Sequence, residues 1–103
     1  MQKHKVVCLE GELKGSEIIL KTNESIVIGR DTKIANLVFR DVTISRKHCL
    51  IESGDADYYY VTDYSSCGTV SEDGIELKRG ERTALARGTI LLIGMSGTKV
   101  RME

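Results

Sequence analysis

The chain has 103 residues, 41% of them apolar and 29% charged, the size and balance of one folded domain rather than a disordered segment. Fifteen basic and fifteen acidic residues cancel, so a general nucleic-acid binder, which needs a basic excess to meet the phosphate backbone, is not expected. No apolar run reaches the ~20 residues that span a bilayer and no secretory leader is read at the start, so membrane insertion by this segment is not expected either.

Eighteen Val and Ile residues against four Ala favour strands over helices. In chain order, strands are expected at Lys5–Leu9, Ser16–Lys21, Ser25–Gly29, Leu37–Phe39, His48–Glu52, Tyr58–Asp63, Thr69–Ser71, Thr83–Leu85, Thr89–Ile93 and Thr98–Met102. Between them lie turn signals: Gly11 to Gly15, Gly54-Asp55, Asp73-Gly74, Arg79-Gly80, Arg87-Gly88 and Gly94 to Gly97. Short strands separated by such turns predict an all-β sandwich, and no stretch carries the 3.6-residue apolar stripe of a helix. The unbroken runs Val6-Val7, Ile18-Ile19-Leu20 and Ile90-Leu91-Leu92-Ile93 predict central strands covered on both faces. Residues 1–103 read as a single domain, without linker, repeat or low-complexity segment.

Cys8, Cys49 and Cys67 are odd in number and widely spaced. They read as the reduced thiols of a cytoplasmic protein, with Cys8 and Cys49 in the core. With His4 and His48 they offer no close Cys-x-x-Cys pair, so no metal and no cofactor are expected. Ser45 followed three residues later by His48 is not by itself a nucleophile and its base, and no Gly-x-Ser-x-Gly elbow occurs, so the chain is not expected to be an enzyme. Tyr58, Tyr59 and Tyr60 continue a strand and are read as cross-strand packing rather than a base-stacking platform.

Two polar stretches stand apart. One runs from Gly29-Arg30-Asp31 to Asp41-Val-Thr-Ile-Ser45-Arg46-Lys47-His48; the other is Asp63-Tyr-Ser-Ser66-Cys67-Gly68-Thr69. Both join strands and place hydroxyl or guanidinium donors beside glycine, and loops held on a rigid scaffold are where recognition chemistry sits.

The ordered set Gly29-Arg30, Ser45-x-x-His48, the Asp63–Thr69 loop, Asp73-Gly74, Leu85-x-x-Gly88 and Ile93-Gly94 resembles the forkhead-associated (FHA) domain over nearly the whole chain. The resemblance implies a β-sandwich of about eleven short, mostly antiparallel strands that binds phosphothreonine peptides through loops at one end. It implies that Arg30 and Ser45 grip the phosphate, and that Arg46 reaches the phosphate or the peptide main chain. Ser66 and Cys67 would face the peptide, while Gly29, His48, Gly68 and Thr69 hold the loops in place. The partner so implied is a phosphothreonine protein, the product of a Ser/Thr kinase, and the role is protein–protein interaction in signalling.

The chemistry is consistent with that assignment. A phosphothreonine carries about −1.5 to −2 charges and three acceptor oxygens, and needs a fixed guanidinium with short hydroxyl or amide donors. One position departs from the family: Cys67 stands where Asn usually precedes Gly-Thr, replacing two amide donors and an acceptor with a weak thiol donor. Two functions therefore stay open at the level of sequence: a phosphopeptide reader, and a phospho-independent interaction module on the same fold with a degenerate peptide loop.

Overall fold

The computed structural model describes residues 4–55 and 57–103. It contains ten strands: β1 (His4–Glu10), β2 (Glu17–Leu20), β3 (Ser25–Gly29), β4 (Leu37–Val38), β5 (Cys49–Ser53), β6 (Tyr58–Asp63), β7 (Val70–Ser71), β8 (Thr83–Ala86), β9 (Ile90–Ile93) and β10 (Thr98–Met102). No helix occurs among the described residues, so none is long and apolar enough to cross a membrane. Each expected strand is present, with no end displaced by more than one residue. The resemblance implies about eleven; Val70 and Glu76 meet only as a one-residue bridge that does not extend into a further strand.

The strands form two five-stranded sheets, in the orders β2-β1-β10-β9-β7 and β4-β3-β5-β6-β8. Neighbours run antiparallel except β3 and β4, which are parallel through Ile28↔Leu37 and Gly29↔Val38. Alternation along the strands builds the core between the sheets: Val6, Leu91, Ile93, Val100 and Met102 on one side face Ile28, Ile51, Tyr59, Val61 and Leu85 on the other. Each such side chain contributes roughly 1.5–3 kcal/mol by leaving water. Cys8 and Cys49 are part of this core. Burial, with Asp63 nearby, pushes the Cys49 thiol far up from its usual range.

One expectation fails. The run Ile18-Ile19-Leu20 does not lie on a central strand: β2 is a sheet edge, and Ile19 is 56% exposed. Only Leu20 of this run is fully buried, with Ile18 packed against the core from the margin. The runs of β1 and β9 do sit inside their sheet. Their outward residues Val7, Ile90 and Leu92 are half-buried beside Lys99 and Arg101 on β10, which pair with them across the ladder. An apolar run reports apolar neighbours, and not which strand stands at the edge.

The three tyrosines take three environments. Tyr58 is half-exposed; Tyr60 lies under Arg82, with the guanidinium carbon 3.8 Å from the ring centroid. Tyr59 is fully buried, with the His4 ring edge-on at 4.6 Å. Its hydroxyl accepts the Lys5 N–H at 2.8 Å and donates between the carbonyls of Lys5 and Glu103. A residue of one sheet thus ties down both terminal strands of the other. Removing that hydroxyl in Tyr59→Phe should lower stability by about 1–2 kcal/mol, seen as a lower urea midpoint at unchanged slope.

Candidate functional site

The loops following β3, β4 and β6 meet at one end of the sandwich, and Gly29 is where they become one structure. A Cβ built on Gly29 would lie 2.0 Å from the Arg46 carbonyl oxygen and 2.8 Å from its carbon. Only a residue without a side chain lets the 45–46 backbone come this close. That approach permits two ladder-like bonds beyond the end of β3, from Arg30 N–H to the Ser45 carbonyl (3.1 Å) and from Asp31 N–H to the Arg46 carbonyl (3.2 Å).

Arg30 is half-buried, and its Nε donates to the Ile44 carbonyl at 2.7 Å. This bond fixes the plane of the guanidinium and engages neither of its two terminal nitrogens. Arg30, Asp31 and Arg46 line a small depression of 210 Å³. Ser45 lies alongside: its Oγ accepts the Ser66 N–H at 3.1 Å and sits 3.4 Å from the Ser66 Oγ. The two polar stretches of the sequence are therefore joined hydroxyl to hydroxyl, with Arg30, Ser45, Arg46 and Ser66 in one neighbourhood. Cys67 is exposed and sits apart from the Arg30 depression. Its Sγ lies 3.6 Å from the carbonyls of Thr43 and Gly68, at the edge of a 360 Å³ groove lined by Thr69, Leu77, Leu92 and Met95.

His48 is fully buried beneath this surface. Its Nδ1 accepts the Ser45 N–H at 3.0 Å, its own N–H bonds to the Ile28 carbonyl, and its carbonyl accepts Tyr64 N–H at 2.8 Å. The ring is thus in the neutral Nε2–H form and bonded to the first loop through Nδ1, while the residue's backbone links β3 to the start of the second loop. Burial pushes its pKa below the usual imidazole value, against the upward pull of Asp63, the Gly68 backbone and Asp41.

The second loop hangs on Asp63, which is buried at the end of β6. One carboxylate oxygen accepts the Ser65 N–H (3.0 Å), the Ser65 hydroxyl (2.6 Å) and the Thr69 hydroxyl (2.8 Å). Ser65 Oγ in turn accepts the Gly68 N–H at 2.8 Å. Gly68 has φ +90°, which a residue with a Cβ adopts only under strain. The first loop repeats the device: Asp41 accepts both the N–H (2.9 Å) and the hydroxyl (2.7 Å) of Thr43, which hold its carboxyl below the usual range. Thr43 Oγ1 then accepts the Met95 N–H at 2.8 Å.

Asp41, Thr43, Asp63 and Ser65 are positioning residues that the motif-based reading passed over. The signal was present as Asp-x-Thr and Asp-x-Ser, the spacing of side-chain-capped turns. Among the described residues no group of His, Cys, Asp and Glu side chains is arranged to hold a metal ion.

A family model described as the FHA domain matches residues 26–94, and the chain belongs to that family. Solved FHA domains share the fold over nearly the whole length. That of CT664 from Chlamydia trachomatis is 22% identical, with a TM-score of 0.84 over 98% of this chain and 96% of that one. That of an Arabidopsis thaliana protein is 24% identical, with a TM-score of 0.85 over 100% of this chain and 86% of that one. The N-terminal FHA domain of S. cerevisiae Rad53p, solved with a phosphothreonine peptide, is 16% identical, with a TM-score of 0.78 over 97% and 91%. No curated protein sequence gives a significant match.

The His48 environment sets a pH dependence. Because its folded pKa lies below its unfolded value, the unfolded chain binds the extra proton first as pH falls. The neutral ring's contribution is therefore complete above pH ~7 and is lost progressively below ~6.5, at up to about 1.4 kcal/mol per pH unit, until the folded pKa is reached. Urea unfolding at a series of pH values checks this, and imidazole resonances of the folded protein should show His48 taking up its proton at a lower pH than an unperturbed imidazole.

Proposed function

We propose that this chain binds phosphothreonine in a partner protein, with Arg30, Ser45 and Arg46 on the phosphate and Ser66 and Cys67 along the peptide. One observation carries the reading. Residues 30–47 hold five basic residues (Arg30, Lys33, Arg40, Arg46 and Lys47) against two acidic ones, in a chain whose net charge is zero. Among the described residues none of these five takes part in an ion pair, while Lys5, Lys14, Arg82, Lys99 and Arg101 all do. Both carboxylates of the segment are committed to their own loops, Asp31 to the Lys33 N–H and Asp41 to Thr43. Cations left without carboxylates around a guanidinium already fixed in orientation suit a dianion with several acceptor oxygens.

Phosphothreonine peptides in the solved complexes of the MEK1 and Rad53p FHA domains support the same ligand class. On this reading the partner is a substrate of a Ser/Thr kinase, the role is in signalling, and exposed Cys67 suits a reducing, cytoplasmic setting. Ser45 Oγ is engaged by the Ser66 amide and His48 Nδ1 by the Ser45 amide, so this pair holds a loop and does not activate a hydroxyl.

A phosphothreonine peptide should bind while its unphosphorylated form does not, and Arg30→Ala should lose roughly 2–5 kcal/mol of binding with a modest drop in thermal midpoint from the lost bond to the Ile44 carbonyl. Calorimetric titration of both peptides measures this. Equal binding of the two forms, or unchanged affinity in a folded Arg30→Ala protein, would sink the reading.

At Cys67 the thiol replaces an amide able to bond the peptide backbone. Cys67→Asn should tighten phosphopeptide binding by roughly 0.5–1.5 kcal/mol per bond regained, without altering the preference at distant peptide positions. Exposed Cys67 should alkylate in the native protein while buried Cys8 and Cys49 do not, and alkylation should block the peptide. Equal or weaker binding by Cys67→Asn would place the peptide elsewhere.

A further inference from the structure

Glu12 stands exposed on the turn between β1 and β2, and among the described residues it takes part in no ion pair. Its carboxylate is nonetheless engaged. One oxygen, Oε1, accepts the N–H groups of both Arg40 (2.8 Å) and Asp41 (3.1 Å), on the loop after β4 that carries Ile44 and Ser45. We infer that Glu12 is a positioning residue for the phosphate site: from the other sheet it sets the course of the loop against which Arg30 is oriented. This role rests on the phosphothreonine reading above, and adds to it a residue outside the loops on which that reading relies.

Three observations support it. The first is where the amides of this loop go. Phe39 N–H bonds to the Gly29 carbonyl, Thr43 and Ile44 N–H to Asp41, and Ser45 N–H to His48, all within one sheet and its loops. The amides of Arg40 and Asp41 instead take their partner from the β1–β2 turn of the other sheet. An ionised acceptor makes these bonds stronger than neutral ones. The second is that Glu12 is itself held. Leu13 packs against the core, and Gly11, at φ +106°, lies so close to Thr98 that a Cβ there would be 2.6 Å from its Oγ1. A carboxylate between two anchored residues gives up less freedom in reaching the loop. The third is the short path to the guanidinium. Glu12 holds the Asp41 N–H, the Asp41 carbonyl accepts the Ile44 N–H at 3.0 Å, and the Ile44 carbonyl accepts Arg30 Nε–H at 2.7 Å.

The charge of Glu12 acts in the opposite sense, so the two contributions can be separated. A carboxylate that lines a depression together with Arg30 repels a phosphate bound there. If charge alone mattered, removing Glu12 would tighten binding. If its two bonds matter, removal weakens binding, and an amide oxygen in the same place preserves it.

The test compares wild type with Glu12→Ala, Glu12→Asp and Glu12→Gln. Calorimetric titration uses one phosphothreonine peptide and its unphosphorylated form, and NMR follows solvent exchange of the Arg30 Nε–H in the free proteins. Tyr59→Phe, destabilised at the opposite end of β6 from Asp63, is the control for lost stability alone. Glu12→Ala, and Glu12→Asp with its shorter reach, should each weaken phosphopeptide binding about tenfold. Glu12→Gln should bind within about twofold of wild type or more tightly, and Tyr59→Phe should bind as wild type does. Arg30 Nε–H should exchange faster in the Ala and Asp variants than in wild type or Glu12→Gln. If Glu12→Ala fails to fold, the Asp and Gln variants decide. Undiminished binding by Glu12→Ala, like behaviour of the Ala and Gln variants, an equal loss in Tyr59→Phe, or unchanged Arg30 Nε–H exchange overturns the positioning role and leaves the phosphate site standing. Equal binding of the phosphorylated and unphosphorylated peptides by wild type overturns the phosphothreonine reading, and the part of Glu12 in it.

Discussion

The Arg46 carbonyl occupies the space a side chain on residue 29 would need, and the candidate site is organised around that contact. With the two backbones this close, Arg30 and Asp31 bond to the Ser45 and Arg46 carbonyls, and His48 N–H reaches Ile28. Arg30 Nε then meets the Ile44 carbonyl, and Ser45 N–H meets His48 Nδ1. These bonds run from 2.7 to 3.2 Å, so a displacement of an ångström would break several together. A methyl group at position 29 faces backbone, which cannot rotate aside as a flexible side chain can. The consequence is that Arg30 and Ser45, fifteen residues apart in sequence, are held at a fixed separation by a glycine rather than by either of their own side chains.

What could be read from the sequence divides along a physical line. The strands were legible because alternation is enforced by burial on one face: β1, β5 and β10 bury every second residue, and that periodicity survives any loop arrangement. The edge position of β2 was not, because Ile18-Ile19-Leu20 is as apolar as a central strand and pairing order is a property of the whole chain. Within the site, Arg30 and Ser45 stood out as residue types suited to an anion. Asp63 did not, although its one oxygen organises Ser65 and Thr69, because an acid at the end of a strand looks like any solvated charge until its burial is known. Its local spacing to Ser65 was the available clue, repeated at Asp41 and Thr43.

A net charge of zero conceals a separation of charge. The ion pairs lie on strand faces and turns: Lys5 with Glu17 and Glu103, Arg82 with Glu52, Lys99 with Glu72 and Arg101 with Glu103. Exposed pairs of this kind contribute little to stability, about 0–1 kcal/mol each. Their electrostatic effect is to neutralise five of the cations outside the loop end, while residues 30–47 keep a local excess of five basic residues over two acidic ones. Salt screens the field of that excess beyond about 8 Å at physiological ionic strength, which makes it a local attraction for a bound anion and a weak one for an extended polyanion. A zero total is therefore compatible with a strong anion site and poorly suited to general nucleic-acid binding.

The loop carrying Cys67 shows how such a site can change what it reads without losing its shape. Every bond that shapes residues 63–69 avoids the side chain of residue 67: Asp63 holds Ser65 and Thr69, Ser65 holds the Gly68 amide, and Ser45 holds the Ser66 amide. The left-handed turn is supplied by Gly68. Cys67 itself contributes only long contacts from sulfur to two carbonyls, and its side chain projects from an already determined backbone. On the proposed reading, a thiol in place of an amide here removes peptide contacts and leaves the bonds that shape the loop in place. Arg30 and Ser45 have less freedom, because Arg30 Nε donates to the Ile44 carbonyl and Ser45 Oγ accepts the Ser66 N–H, so both side chains also bond the loops together. On the proposed reading, affinity for the peptide chain can therefore drift at position 67 more freely than the phosphate contacts can at positions 30 and 45.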